Sequence, residues 1–151
     1  MFQSLEARMQ VRHILRDKGR EVVTILSDAT LSEAACVLAS RRIGAVVVRE
    51  RDGSLAGILS ERDIVRAIAQ ASVNALPQSV ARHMTRSIAT CCEDDSVDDL
   101  MEMMTRGRFR HMPVVEEDRL TGIVSIGDVV KTRIAETVQE AQSLREYIAA
   151  G

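Results

Sequence analysis

At 151 residues the chain can build one ordinary domain or two small halves that share a core. Hydrophobic residues make up 46% and charged residues 28%, a globular balance that excludes a disordered chain, and a formal net charge of −2 supplies no field to recruit nucleic acid. Aromatics at 2% exclude the stacking platforms of single-strand binders, and no apolar run approaches the roughly 20 residues of a membrane span, so a cytoplasmic chain without nucleic-acid or membrane partners is expected.

Residues 1–10 carry no periodic signal and read as a flexible arm. Val11, Ile14 and Leu15 mark one face of a short helix that Lys18-Gly19-Arg20 ends with basic residues and a C-cap glycine. Val22 to Leu26 is rich in β-branched residues and reads as a strand. Thr30-Leu31-Ser32-Glu33 has the spacing of a capping box, and Ala34, Ala35, Leu38 and Ala39 continue it as a helix to near Arg42. Ala45 to Val48 is a short apolar run suited to a strand covered on both faces; Arg51-Asp52-Gly53-Ser54 is a turn, and Leu55 to Leu59 returns. Ser60-Glu61-Arg62-Asp63 then opens a helix with apolar positions Ile64, Val65, Ile68 and Ala69.

Residues 72–79, with Asn74 and Pro77, read as a linker, after which the pattern restarts. Val80 and Met84 answer Val11 and Leu15, Ile88 to Cys92 answers the first strand, and Ser96-Val97-Asp98-Asp99 offers a second capping box before Leu100, Met101, Met103 and Met104. Met112 to Val115 answers Val46 to Arg49. The last helix opens at Asp128 and runs on through Ile134, Val138, Ala141, Leu144 and Ile148, with residues 138–151 as an extension. The strongest echo joins Gly57-Ile58-Leu59-Ser60-Glu61-Arg62-Asp63 to Gly122-Ile123-Val124-Ser125-Ile126-Gly127-Asp128. Each half, 11–71 and 80–137, is β-α-β-β-α, an α/β (α+β) unit with too few strands to stand alone, so the two are expected to pair about a pseudo-two-fold axis. Cys36, Cys91 and Cys92 show no ligand or redox spacing and read as reduced, buried structural thiols.

Together these stretches resemble a tandem pair of cystathionine-β-synthase-type (CBS) domains, a Bateman module, over residues 11 to 140. The resemblance rests on the two cap-and-helix stretches, on Gly44 to Val48 and Arg110 to Val115, and on both Gly-Ile-x-Ser-x-x-Asp segments. It implies a regulatory unit that binds adenine nucleotides or related adenosyl compounds (AMP, ADP, ATP, NAD(H) or S-adenosylmethionine) in clefts between the domains, with no cofactor required. It also implies that Asp63 with Ser60, and Asp128 with Ser125, meet the ribose and phosphate, and that a separate target protein reads the bound state.

The residues suit that chemistry. A carboxylate in a first helical turn offers two acceptor oxygens to adjacent ribose hydroxyls, and the free N–H groups there suit a phosphate. With so few aromatics, Ile58, Ile123, Met112 and Pro113 are the candidates for an adenine slot. Arg62 can reach a phosphate where its counterpart Gly127 instead opens the backbone; Arg110 and His111 add cations where the first half has Gly44 and Ala45. Thr24 is a further polar candidate. Each has a plainer alternative: Ser60-x-x-Asp63 and Ser125-x-x-Asp128 are acceptable helix caps, Arg62 a solvated side chain, Arg110 and His111 a surface charge cluster, Thr24 a strand former.

Three function classes follow. The first is a non-catalytic adenine-nucleotide sensor. The second is a ligand-free assembly module that docks on a partner. The third, an enzyme, lacks any triad, Walker loop or zinc spacing. The apolar stripes at Leu100 to Met104 and Ile134 to Ile148 point to a homodimer.

Overall fold

The structure, a computed structural model, describes residues 8–150; most of the arm read at residues 1–10 lies outside the described residues. The chain runs α1 (Val11–Lys18), β1 (Thr24–Leu26), α2 (Leu31–Arg41), β2 (Ala45–Arg49), β3 (Leu55–Ser60), α3 (Glu61–Ala71), a 3₁₀ turn (Ser72–Ala75), α4 (Val80–His83), α5 (Val97–Gly107), β4 (His111–Glu116), β5 (Arg119–Ser125) and α6 (Ile126–Ala150). Among the described residues helix accounts for 52% and strand for 23%, an α+β fold. By contact the chain divides into two compact units, Val22–Ala89 and the described residues up to Glu21 together with those from Thr90 onward. Repeat and unit are therefore different partitions: α1 leads the first repeat but packs in the unit of the second, and α4 does the converse.

In the Val22–Ala89 unit the sheet order is β1-β2-β3, with β1 parallel to β2 and β2 antiparallel to β3. The helix α2 makes the crossover between the parallel pair. Its cap is reciprocal: Glu33 N–H donates to Thr30 Oγ1 at 3.1 Å and Thr30 N–H to Glu33 Oε2 at 3.2 Å. Leu31, Ala34 and Leu38 recur at helical spacing and are buried with Val46, Val48, Leu59 and Ile64. Arg42 ends the helix in the left-handed region at φ 55°. The segment 72–79, expected as a linker, is packed: Ala75 is fully buried, and the carbonyls of Gln78 and Leu76 accept from the first-turn N–H groups of Leu31 (2.9 Å) and Ser32 (3.1 Å). The apolar face expected of α3 is narrower than the sequence pattern, because Ile64 and Ala67 are buried whereas Val65 and Ile68 are 66% and 43% exposed.

The other unit joins α1 to β4, β5, α5 and α6, with Val11, Leu15, Leu100, Met104, Met112, Val114, Val124 and Val129 buried. The strand expected at Ile88 to Cys92 does not form; Cys91 makes one parallel bridge to Val114, so the sheet is the β4-β5 hairpin. Pro113 explains the loss. Its counterpart Val47 donates its N–H to Val23 O at 3.4 Å in the β1-β2 pairing, and proline has no N–H to give. The second capping box is one-sided: Asp99 N–H donates to Ser96 Oγ at 3.1 Å without the reciprocal bond. The long final helix spans 25 residues, and Ile134, Val138, Leu144, Tyr147 and Ile148 on it are all more than half exposed. Among the described residues no helix is long and apolar enough to cross a membrane.

The cysteines differ from the expectation of buried thiols, since Cys91 is buried but Cys36 and Cys92 are exposed. Burial, with Asp95, Cys92 and Glu116 adding repulsion, pushes the Cys91 thiol up to about 12. A thiol-reactive chromophore at neutral pH is thus expected to label Cys36 and Cys92 in the native protein and Cys91 only on unfolding. Equal labelling of all three in buffer would contradict this packing.

Candidate functional site

Both units carry the same strand-to-helix junction, built the same way. In the Val22–Ala89 unit, β3 delivers Ser60 as the N-cap of α3. Ser60 N–H donates to Asp63 Oδ2 at 2.8 Å, its hydroxyl reaches the same oxygen at 3.1 Å, and Asp63 N–H returns to Ser60 Oγ at 3.4 Å. The next N–H, of Glu61, donates to Gly44 O at 3.0 Å, and Ala45 stands opposite Ser60 in register. Thr24, Val47 and Ile58 fall in one row across the three strands. Because side chains alternate, that row lies on the face opposite the Val46, Val48 and Leu59 core. The structure thus brings Ser60, Asp63, Gly44 and Ala45 together, sets Thr24 and Ile58 two rungs along the sheet, and leaves Arg62 exposed.

In the other unit, β5 delivers Ser125 to α6. Ser125 N–H donates to Asp128 Oδ2 at 2.9 Å and Asp128 N–H to Ser125 Oγ at 3.1 Å. Ile126 N–H donates to Arg110 O at 2.8 Å, repeating the Glu61 to Gly44 bond. His111 stands opposite Ser125, Met112 opposite Val124 and Pro113 opposite Ile123, so these residues share the β4-β5 ladder next to the cap. Met112 is fully buried beneath it. Arg110 therefore contributes its carbonyl to the junction, while its side chain is exposed.

Capping the helix and accepting from a ribose hydroxyl are not exclusive. In both aspartates the cap engages Oδ2, and a carboxylate has lone pairs to spare on its second oxygen. The surroundings of the two carboxylates differ. Asp63 has Arg66 of its own helix at 3.6 Å from Oδ1, with that arginine 71% exposed. Asp128 has Lys18, whose Nζ donates to Oδ2 at 2.7 Å and to Ile123 O at 3.0 Å. Partial burial pushes the Asp128 carboxyl up, but the Lys18 hydrogen bond, the Ser125 N–H and the Lys18 charge outweigh it and hold the group below its ordinary value.

The sequence reading missed Lys18 as a site residue. It reads locally as a basic residue at a helix C-terminus, and nothing in the chain flags a partner 110 positions away. Among the described residues no cluster of ligating side chains could hold a metal ion.

The CBS domain model matches residues 11–70 and 79–135. The chain belongs to the CBS domain family. Among solved CBS structures it is similar to a CBS-domain containing protein from Agrobacterium tumefaciens, 49% identical, with a TM-score of 0.81 over 83% of this chain and 94% of that one. The CBS domain pair of protein MJ0100, in complex with 5′-methylthioadenosine and S-adenosyl-L-methionine, is 28% identical with a TM-score of 0.76, covering 85% of this chain and 98% of that one. A mitochondrial CBS protein of Arabidopsis thaliana, CBSX3, is 31% identical over 93% of this chain and 72% of its own length. The tandem repeat is thus a CBS pair, and the Gly-Ile-x-Ser-x-x-Asp segments sit in it as helix-capping junctions.

Proposed function

We propose that this CBS pair is a non-catalytic regulatory module that binds an adenosyl compound at its strand-to-helix junctions and reports the bound state to a target protein. The observation that carries this reading is the duplicated junction: a serine-capped helix start, with an acidic oxygen and first-turn N–H groups presented side by side, occurs in both units. A ribose with an attached phosphate complements that pairing of acceptor and donors. The methylthioadenosine and S-adenosylmethionine carried by the similar MJ0100 pair support the adenosyl class. AMP, ADP, ATP and NAD(H) belong to the same class. Exposed thiols at Cys36 and Cys92 suit a reducing compartment such as the cytoplasm.

A thermal-shift panel of AMP, ADP, ATP, NAD(H), 5′-methylthioadenosine and S-adenosylmethionine tests the reading. Ligand at about 100 times its dissociation constant is expected to stabilise the protein by about 2.7 kcal/mol. A panel without any shift at millimolar concentration overturns it.

The second reading is an assembly module, and the exposed apolar stripe of α6, from Ile134 to Ile148, favours it. A homodimer through that stripe is compatible with ligand binding. Sedimentation of a monomer at micromolar concentration would remove it.

A further inference from the structure

The two junctions are not chemically equal, and Lys18 makes the difference. In the Val22–Ala89 unit the Ile58 carbonyl is served by the main chain, from Thr85 N–H at 2.9 Å. In the other unit the corresponding Ile123 carbonyl is served by an ammonium, Lys18 Nζ at 3.0 Å, which also reaches Asp128 at 2.7 Å. Two other cations of that segment pair elsewhere, Arg12 with Asp94 and Arg20 with Glu93. Lys18 thus spends two of its three N–H donors on the junction and keeps the third. Its side chain is 35% exposed, so an incoming group can reach it. The carboxylate is neutralised from outside its own helix, whereas the cation beside Asp63 is an exposed arginine of its own helix, at 3.6 Å.

The first turn of α6 adds donors to this cation. Ile126 N–H is bonded to Arg110 O and Asp128 N–H to Ser125 Oγ, which leaves Gly127 N–H as the first-turn donor that neither contact serves. Gly127 is exposed, and a Cβ there would meet only Ser125 Oγ, at 3.6 Å, so packing does not demand the glycine.

Resting on the adenosyl reading above, we propose that Lys18 is the specificity-determining residue of the Ser125–Asp128 junction, where it selects a phosphate-bearing adenosyl compound over a neutral thioether or a cationic sulfonium. The phosphate takes the third Lys18 donor while Asp128 Oδ1 accepts a ribose hydroxyl. A sulfonium at the same distance meets a like charge. The Ser60–Asp63 junction, whose Ile58 carbonyl is held by the main chain and whose nearby Arg66 is an exposed residue of the same helix, does not make this distinction.

Calorimetric titrations of the full chain in an Asp63→Ala background isolate the Asp128 junction. AMP is expected to bind about tenfold more tightly than 5′-methylthioadenosine or S-adenosylmethionine, the worth of one charge-assisted hydrogen bond. Lys18→Gln is expected to erase that preference by weakening AMP while leaving 5′-methylthioadenosine within about twofold, and Lys18→Arg to retain it. Wild-type lysine binding S-adenosylmethionine as tightly as AMP overturns the proposal even if Lys18→Gln fails to fold. Equal loss of both ligands in Lys18→Gln also overturns it, while leaving the adenosyl reading intact; the absence of binding by any adenosyl compound to the unmodified chain removes both.

Discussion

Gly57→Ala is expected to lower the unfolding free energy by about 3 kcal/mol, against about 1 kcal/mol for Gly122→Ala, although the two glycines are equivalent in the repeat. A Cβ on Gly57 would lie 2.4 Å from the Thr85 carbonyl oxygen and 3.2 Å from Met84 Sδ. That oxygen is main chain and already accepts from Ile58 N–H at 3.0 Å, so relief of the clash pulls apart the Ile58–Thr85 bridge. At Gly122 the obstacle is the end of a side chain, Leu15 Cδ2 at 2.6 Å and Cδ1 at 2.8 Å. A leucine tip can turn aside, at the cost of disturbing a core position that is 1% exposed. Urea unfolding followed by circular dichroism, with linear extrapolation, ranks the two variants. A Gly122→Ala variant less stable than Gly57→Ala would mean that the Thr85 segment yields more readily than the Leu15 side chain.

The same comparison shows what a linear sequence carries. The repeat, the caps of α2 and α3, and the β2-β3 hairpin are legible because each depends on residues within a few positions of one another, such as Thr30 with Glu33 or Ser60 with Asp63. The period of two or 3.6 residues then assigns faces, except on α3, where Val65 and Ile68 fit the helical spacing but face solvent. Pro113 was visible, yet its effect was not, because a missing N–H matters only when a parallel neighbour needs it; the result is a bridge at Cys91 in place of a strand. The packing of α1 with the second repeat's elements, and Lys18 against Asp128, are long-range facts with no local signature. Candidate site residues followed the same rule. Those defined by the cap came together, whereas the cation that distinguishes one junction from the other came from a distant helix.

Asp128→Ala is expected to cost about 2 kcal/mol at pH 7, roughly twice the cost of Asp63→Ala. Both variants lose the acceptor of a helix cap, worth about 1 kcal/mol. Beyond the cap Asp63 loses the 3.1 Å bond from the Ser60 hydroxyl, a group free to rotate to another partner, and a pairing of small value with Arg66, which lies 3.6 Å away and is 71% exposed. Asp128 also loses the 2.7 Å bond from Lys18, in a pair whose side chains are 35% and 23% exposed, and leaves that ammonium with Ile123 O alone. The pH dependence follows from the direction of the shift. The folded-state carboxyl of Asp128 is depressed, with burial raising it and the Lys18 and Ser125 hydrogen bonds lowering it further. Its stabilisation is therefore fully present above the unfolded-state value of about 3.9 and drains away as pH falls through the lower folded-state value. Urea unfolding of wild type and Asp128→Ala at pH 7, 5 and 3 should give the same gap at the first two and a narrower one at the third. A gap that stays constant down to pH 3 would show that the lost stability comes from packing, since only the charged carboxylate can serve both the cap and the lysine.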